Sequence, residues 1–91
     1  MELEFDSIHN YYERLVFNEI QDQYLNSELD EDQLVDMACL ALNEIKPRYI
    51  RHDVDMSFFM SAEEHQQVRQ QVIQAVRRAY AKMQLQETNR D

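Results

Sequence analysis

Three stretches of this chain place apolar side chains three or four residues apart, which is the spacing of one face of an α-helix. The first covers about residues 7–24, the second starts near residue 30, and the third starts near residue 61. Because amphipathic helices must bury their apolar faces, the pattern predicts an all-α domain of three helices. The three stripes are Ile8, Tyr11, Tyr12, Leu15, Val16, Ile20 and Tyr24; Leu34, Met37, Ala38, Ala41, Leu42 and Ile45; and Val68, Val72, Ala75, Val76, Ala79, Tyr80 and Met83.

Polar residues at the predicted helix starts support these boundaries. Residues 30–33 and 61–64 both fit a capping box, in which the first residue and the fourth exchange side-chain-to-backbone hydrogen bonds. Asp6 or Ser7 offers an N-cap for the first helix. Pro47 is predicted to end the second helix, because it lacks a backbone donor and disfavours helical geometry at the residue before it. A long irregular connection should therefore join the second and third helices, and residues 86–91 should fray.

The chain contains no glycine, which excludes two large classes of nucleotide site. The Walker loop and the GxGxxG loop both need glycine where the backbone approaches phosphate or takes a positive φ. Any phosphate bound by this chain must therefore be held by side chains or by a helix N-terminus.

Charge is unevenly distributed along the chain, whose formal net charge is −9. Residues 1–45 contain twelve acids and one base, giving −11, whereas residues 46–91 contain eight bases and six acids, giving +2. An acidic protein can still carry a small local anion site, although bulk nucleic acid is repelled. The basic residues of the third helix are therefore interpreted as a solvated face, and DNA is not an expected partner. They are Arg69, Arg77, Arg78 and Lys82.

At 91 residues the chain is expected to form a single helical domain over residues 1–91. A domain of this size buries a modest fraction of its surface. It nevertheless has more large apolar residues than three helices easily cover, notably Phe17, Phe58, Phe59 and Met60. An interface between two copies of the chain would bury these apolar residues, so the sequence predicts a homodimer.

The chain has one cysteine, Cys39, which falls within the apolar pattern of the second helix. It is interpreted as a small buried hydrophobe in a reduced intracellular protein. The N-terminus lacks the basic and apolar regions of a signal peptide, and no apolar run approaches the ~20 residues of a transmembrane helix. These observations predict a cytoplasmic protein with no membrane partner.

The connection after the second helix reads KPRYIRHDVDMSFFM over residues 46–60. Its second half alternates apolar and polar residues at Val54, Met56 and Phe58, which predicts a short extended piece. Phe58, Phe59 and Met60 are expected to fix its end against the core. Its first half concentrates the candidate ligand-binding residues Arg48, Tyr49, Arg51, His52 and Asp53.

These five residues could bind a guanine nucleotide. The arginine fork matches phosphate and the O6/N7 edge of guanine, and Tyr49 or His52 could stack on a base. An ionised carboxylate only accepts hydrogen bonds, so Asp53 favours guanine, whose Watson–Crick edge has two adjacent donors. A structural interpretation stays open, with Arg48 and Arg51 paired to acids of the N-terminal half and Asp53 capping a turn. The chemistry alone slightly favours this structural interpretation.

Other chemistry finds little support in the sequence. The spacing of the three histidines and Cys39 matches no zinc motif, so no metal site is predicted. No nucleophile and base have local support as a catalytic pair. The chain is therefore expected to be no enzyme and to need no cofactor.

The succession IHNYYERLVFNEI, DQLVDMACLALNEIKPRYI and a long C-terminal helix resembles the ComFB family of late competence development proteins. The matching feature is ALNEIKPRY, at the end of the second helix, and the likeness spans roughly residues 8–83. The chain departs from the family pattern at Lys46, where proline is frequent, and in its IRHDVDMSFF insert. It also lacks the cysteines of members that resemble zinc proteins, so no zinc site is carried over.

The resemblance implies a small α-helical protein that tends to dimerise, and some members of the family are receptors for cyclic dinucleotides, including cyclic di-GMP. It also implies that KPRYIRHD is the segment facing the ligand. In the leading hypothesis the chain is a dimeric, non-enzymatic receptor for cyclic di-GMP. Arg48 and Arg51 hold phosphate or the guanine O6/N7 edge, Tyr49 or His52 stacks on a base, and Asp53 reads the guanine edge.

Two other hypotheses compete with this one. The first is a dimeric protein–protein adaptor without a small-molecule ligand, in which the MSFFM segment and the acidic first half form contact surfaces. The second is a DNA-binding regulator, which would show steeply salt-dependent duplex binding. The sequence alone leaves open which nucleotide and which downstream protein partner would be bound.

Overall fold

The computed structural model describes residues 1–88 and has the predicted all-α class. Three long helices, α1 (Tyr12–Tyr24), α2 (Glu31–Glu44) and α4 (Ala62–Thr88), pack against one another. Two short strands, β1 (His9–Asn10) and β2 (Tyr49–Ile50), form an antiparallel ladder in which His9 pairs with Ile50 and Asn10 with Tyr49. A fourth helix, α3 (Asp53–Phe59), follows β2.

The start of α1 differs from the prediction of a helix from residue 7. Residues Phe5–Ser7 form a 3-10 turn, the next two residues pair as β1, and α1 begins at Tyr12. Neither Asp6 nor Ser7 caps α1, and the Ser7 hydroxyl instead donates to the Glu4 carbonyl at 2.8 Å. The prediction was wrong because pairing with β2 draws residues 9 and 10 into an extended conformation, which a helical pattern cannot reveal. Ile8, predicted to be in the core, is exposed as a result.

Both predicted capping boxes are confirmed. At α2, the Gln33 amide donates to Asp30 Oδ1 and the Asp30 amide donates to Gln33 Oε1, both at 2.8 Å. At α4, the Glu64 amide donates to Ser61 Oγ at 3.1 Å and the Ser61 amide donates to Glu64 Oε1 at 3.3 Å. Helix α2 ends three residues before Pro47, as the proline predicted.

The connection between α2 and α4 is more regular than predicted. The predicted extended piece is helix α3, which buries Met56 and packs Met60 against the core. Because residues four apart lie on one helical face, these two methionines turn inward together and leave Phe58 and Phe59 on the surface. The prediction that both phenylalanines contact the core was therefore wrong. Their rings pack on each other edge to face, with centroids 5.4 Å apart.

The core lies between the three long helices, and most predicted stripe residues are buried there. Helix α2 presents Met37, Ala38 and Ala41 to the core. Cys39 falls on the opposite side of α2 and is exposed, so the prediction of a buried cysteine was wrong. The buried apolar residues are Tyr11, Tyr12, Val16, Ile20, Leu29, Met37, Ala38, Ala41, Ile45, Met56, Val72, Ala75, Val76, Ala79 and Met83.

Helix α4 reaches further than predicted. Residues 86–88, expected to fray, continue the helix to Thr88, and the rest of the predicted frayed tail, residues 89–91, lies outside the described residues. Within residues 1–88, none of the helices combines the length and the apolar character needed to cross a bilayer.

Candidate functional site

The predicted ligand-binding residues lie on β2 and at the entry of α3. Arg48, Tyr49, Arg51 and His52 are exposed, and the Tyr49 side chain is 68% accessible to solvent. His52 occupies the N-cap position of α3 without a side-chain capping bond. Asp53 is half-buried, and its carboxylate contacts residues of β1 and α1. Four of the five predicted residues therefore lie on an exposed segment, whereas the Asp53 side chain is already in contact with β1 and α1.

Asn10 fixes the backbone of this exposed segment. Its Oδ1 accepts hydrogen bonds from the amide of Arg48 at 3.0 Å and from the amide of Tyr12 at 3.2 Å. The Arg48 carbonyl in turn accepts from the Tyr11 amide at 2.7 Å. Asn10 is 7% exposed and is the one buried polar residue among residues 1–86, the residues whose burial the structure describes. The sequence did not single out Asn10, because an asparagine just before a helix looks like an ordinary capping residue.

The Asp53 carboxylate forms a charged cluster with two side chains of the N-terminal half. His9 Nε2 lies 2.8 Å from Asp53 Oδ1, and Arg14 Nε lies 3.7 Å from Asp53 Oδ2. The hydrogen bond to Asp53 raises the pKa of His9, with a further contribution from the contact of Nδ1 with the Ser7 carbonyl at 2.9 Å. His9 therefore stays protonated to a higher pH than a free histidine, and its charged form bonds more strongly to the carboxylate. No sequence pattern joins His9 to a residue 44 positions away.

Arg51 makes part of the contacts that the structural interpretation predicted. Its Nε donates to Ser7 Oγ at 3.2 Å, and its Nη2 lies 3.9 Å from Glu4 Oε2. Exposed ion pairs of this length contribute about 0–1 kcal/mol, so the guanidinium can be redirected at little cost. Arg48 differs from Arg51 in that its backbone amide and carbonyl are both hydrogen-bonded, whereas its side chain is exposed.

Two of the four basic residues of α4 are also paired. Glu44 accepts from Lys82 Nζ and from Arg78 Nε, each at 2.9 Å, and these two bonds lower the pKa of Glu44. Part of the positive charge of α4 is therefore neutralised within the fold. The interpretation of the basic face of α4 as solvated stays a prediction.

A groove of about 850 Å³ runs between α1 and α2, next to the Asp53 cluster. We call it the α1–α2 groove. Its lining combines apolar side chains, among them the buried Ile20 and Ala38, with four carboxylates. It is lined by Asp6, His9, Glu13, Arg14, Phe17, Asn18, Ile20, Gln21, Leu25, Glu31, Leu34, Val35, Ala38 and Asp53.

The chemistry available at the exposed segment is binding chemistry. Two guanidinium groups can contact anions, and an exposed phenol ring offers a stacking surface. Within residues 1–88, no group of three or more histidine, cysteine, aspartate or glutamate side chains is arranged to hold a metal ion.

Comparison with known proteins identifies the family. The family model described as late competence development protein ComFB matches residues 9–87. No curated protein and no solved structure matches the chain. The matched region includes the β1–β2 ladder, all four helices up to residue 87 and the Asp53 cluster. With a match over nearly its whole length, the chain belongs to the ComFB family.

Proposed function

We propose that this protein is a non-enzymatic receptor for a cyclic dinucleotide, most simply cyclic di-GMP, bound at residues 46–53. The proposal rests on one observation above all. Tyr49 exposes its ring from a strand whose backbone is fixed by the β1 ladder and by Asn10. A stacking residue on an immobilised backbone loses little conformational freedom when a base packs on it, which favours binding.

Local charge supports the same ligand class. Residues 46–51 contain Lys46, Arg48 and Arg51 and no acid, in a chain with a net charge of −9. At physiological salt a charge is screened over about 8 Å, so a small anion at this segment responds to these cations and to Glu4, 3.9 Å from Arg51, more than to the distant acids of the chain. A cyclic dinucleotide has two phosphodiesters, which two arginine forks can contact, and two bases that can stack.

Asp53 would supply the selectivity for guanine. Its two oxygens face His9 and Arg14, and the contact with Arg14 is the longer one at 3.7 Å. A guanine edge would displace Arg14 and donate to Oδ2, while His9 keeps Oδ1 in place. Adenine has one donor next to an acceptor on the same edge, and it would leave the carboxylate facing a lone pair.

Isothermal titration with cyclic di-GMP, with cyclic di-AMP and GTP as controls, tests the proposal. We expect cyclic di-GMP to bind, and cyclic di-AMP to bind at least about tenfold more weakly, because an unpaired polar edge costs at least that much. GTP should also bind more weakly, because it has one base to stack instead of two. The Tyr49→Ala variant should lose about tenfold or more in affinity, since base stacking contributes about 1–3 kcal/mol.

Separate variants test whether Arg48 and Arg51 contact the ligand. The double variant Arg48→Ala/Arg51→Ala should abolish measurable binding, whereas Arg77→Ala, an exposed arginine of α4, should bind as the unchanged protein does. Unchanged affinity in the double variant would refute the assignment of these arginines. Absence of heat with all three nucleotides, together with an unchanged melting temperature, would refute the receptor proposal as a whole.

The second candidate function is a protein–protein adaptor. The observation in its favour is the exposed, edge-to-face pair of Phe58 and Phe59 on α3, since large apolar side chains on a surface mark contact sites. An adaptor predicts no effect of any nucleotide on the melting temperature. A Phe58→Ser/Phe59→Ser variant should then fold normally and lose its protein contact.

The receptor would act as a cytoplasmic homodimer that passes the signal to a downstream protein. A second copy would cover exposed apolar surface such as Phe58 and Phe59. Sedimentation velocity over a range of concentrations, with and without cyclic di-GMP, measures whether the chain dimerises and whether the ligand is required. A monomer under every condition would refute the dimer.

A further inference from the structure

The α1–α2 groove exposes apolar side chains that a helical domain normally buries. Phe17, Leu25 and Val35 line it and are 46%, 64% and 60% exposed. Beneath them, the buried residues Ile20 and Ala38 form an apolar floor. Exposed apolar side chains gathered in one groove are typical of a contact surface for another molecule.

The edge of this groove is acidic. Four carboxylates line it, from Asp6, Glu13, Glu31 and Asp53, against one guanidinium, that of Arg14. These five groups sum to −3, or to −2 together with a protonated His9, which also lines the groove. The half of the chain that forms both groove walls carries −11. A molecule that covers the apolar floor must therefore bring positive charge to the rim.

The lining of the groove runs from Glu13 to Leu25 on the α1 side, and a groove along most of α1 suits a helix as its occupant. Helix α1 has 13 residues and is therefore about 20 Å long. A channel of this length between two helices accepts a third helix of about three to four turns, with its apolar face down. Small-molecule sites enclose most of the ligand surface, whereas here three large apolar side chains stand at the surface themselves.

Two copies of this chain do not pair favourably groove to groove. Symmetric pairing would place the groove against itself and bring the rim carboxylates of both copies together, between two chains of net charge −9. Like charges so placed are repulsive. The charge complementarity therefore excludes a self-paired groove and favours a different protein.

We propose that the α1–α2 groove is a docking site for a basic amphipathic helix of a partner protein. The partner's apolar residues, three or four positions apart, pack on Phe17, Leu25 and Val35. Its lysines or arginines lie opposite Glu13, Glu31 and Asp6. The inference does not depend on nucleotide binding, since its apolar contacts lie on α1, α2 and the turn after α1.

Fluorescence anisotropy with a synthetic labelled peptide tests the proposal. The probe is a helix of about four turns with leucines on one face and lysines on the other. Two control peptides have the same composition in scrambled order, or glutamate in place of lysine. We expect the probe to bind at about micromolar concentration, and each control to bind at least about tenfold more weakly.

Variants of the protein locate the contact. Phe17→Ala/Val35→Ala changes exposed side chains, so the variant should keep the native circular dichroism spectrum. Its affinity for the probe should fall by about tenfold or more. Leu85→Ala, an equally exposed apolar residue of α4 outside the groove, is the matched control and should change nothing. Glu13→Gln/Glu31→Gln should lower the affinity for the probe and reduce the dependence of that affinity on salt concentration.

Four results would overturn the proposal. They are no binding of the probe, equal binding of the scrambled peptide, equal binding by the Phe17→Ala/Val35→Ala and unchanged proteins, and a homodimer that this double variant dissociates. Equal binding of the scrambled peptide would indicate general electrostatic attraction. Dissociation of a homodimer would indicate that a second copy occupies the groove. None of these results affects the nucleotide titration, so the two proposals fail separately.

Discussion

Replacing Asn10 with alanine should destabilise the protein far more than its position next to a helix suggests. The change removes the acceptor of two backbone amides, those of Arg48 and Tyr12. Tyr12 is buried, so its amide loses a partner away from solvent, which costs about 1–3 kcal/mol, whereas the amide of exposed Arg48 can turn to water at a smaller cost. We expect the free energy of unfolding to fall by about 2 kcal/mol in total.

Urea titration followed by far-ultraviolet circular dichroism measures this change. In a domain of this size the melting temperature should fall by about 10 °C. Asn18→Ala is the matched control, because Asn18 is an exposed asparagine of α1, and it should change stability by less than about 0.5 kcal/mol. Asn10→Asp keeps the acceptor oxygen, so it should retain part of the lost stability.

Two results would refute this reasoning. If Asn10→Ala and Asn18→Ala cost the same, the two amides do not depend on the Asn10 side chain. If Asn10→Asp is as unstable as Asn10→Ala while both keep the native fold, the acceptor oxygen is not what matters at this position.

Three further predictions concern single side chains. Met37 is fully buried, so Met37→Ala should lower the free energy of unfolding by about 2–5 kcal/mol in a urea titration. The pKa of Glu44 is lowered, chiefly by its hydrogen bond with Lys82; its stabilisation should therefore be full above pH 4.5 and be lost as the pH falls through the lowered pKa, an acid dependence that Glu44→Gln should remove. The pKa of His9 is raised above 6.5, chiefly by Asp53, so its stabilisation should be full below pH 6.5 and be lost as the pH rises through the raised pKa. Titration by NMR should show the raised value for His9 and a fall toward 6.5 in Asp53→Asn; an unchanged value in that variant would contradict the assigned cause.

Features that depend on neighbours in sequence were predicted well. The capping boxes at residues 30–33 and 61–64 involve pairs three positions apart, so the local pattern contains all the information needed. The start of α1 was mispredicted for the opposite reason. Asn10 pairs with Tyr49, far along the chain, and that long-range pairing outweighs the local helical spacing.

Helix α3 was missed because a short apolar run fits two periods at once. Val54, Met56 and Phe58 alternate as in a strand, but Met56 and Met60 are also four apart as on a helix. Met56 is buried and Met60, the C-cap, packs against the core, and such packing is a tertiary property that the sequence pattern does not show. The candidate site shows the same division. Its polar segment stands out in the sequence, whereas the contact of Asp53 with His9, 44 positions away, does not.

The hydrogen bond between the Arg48 amide and Asn10 closes a loop of 38 residues, and the whole α1–α2 hairpin lies inside that loop. Joining the ends of a long flexible loop costs entropy, but most of this cost disappears once the hairpin has packed and brought the ends together. The β1–β2 ladder should therefore form late in folding, after the helices. It should also open again without unfolding the helices, as a separate cooperative unit with its own lower free energy of opening. Amide hydrogen exchange at Tyr11 and Arg48 should then be faster than in the buried turns of α4, and equal rates would place the ladder and the helical core in one unit.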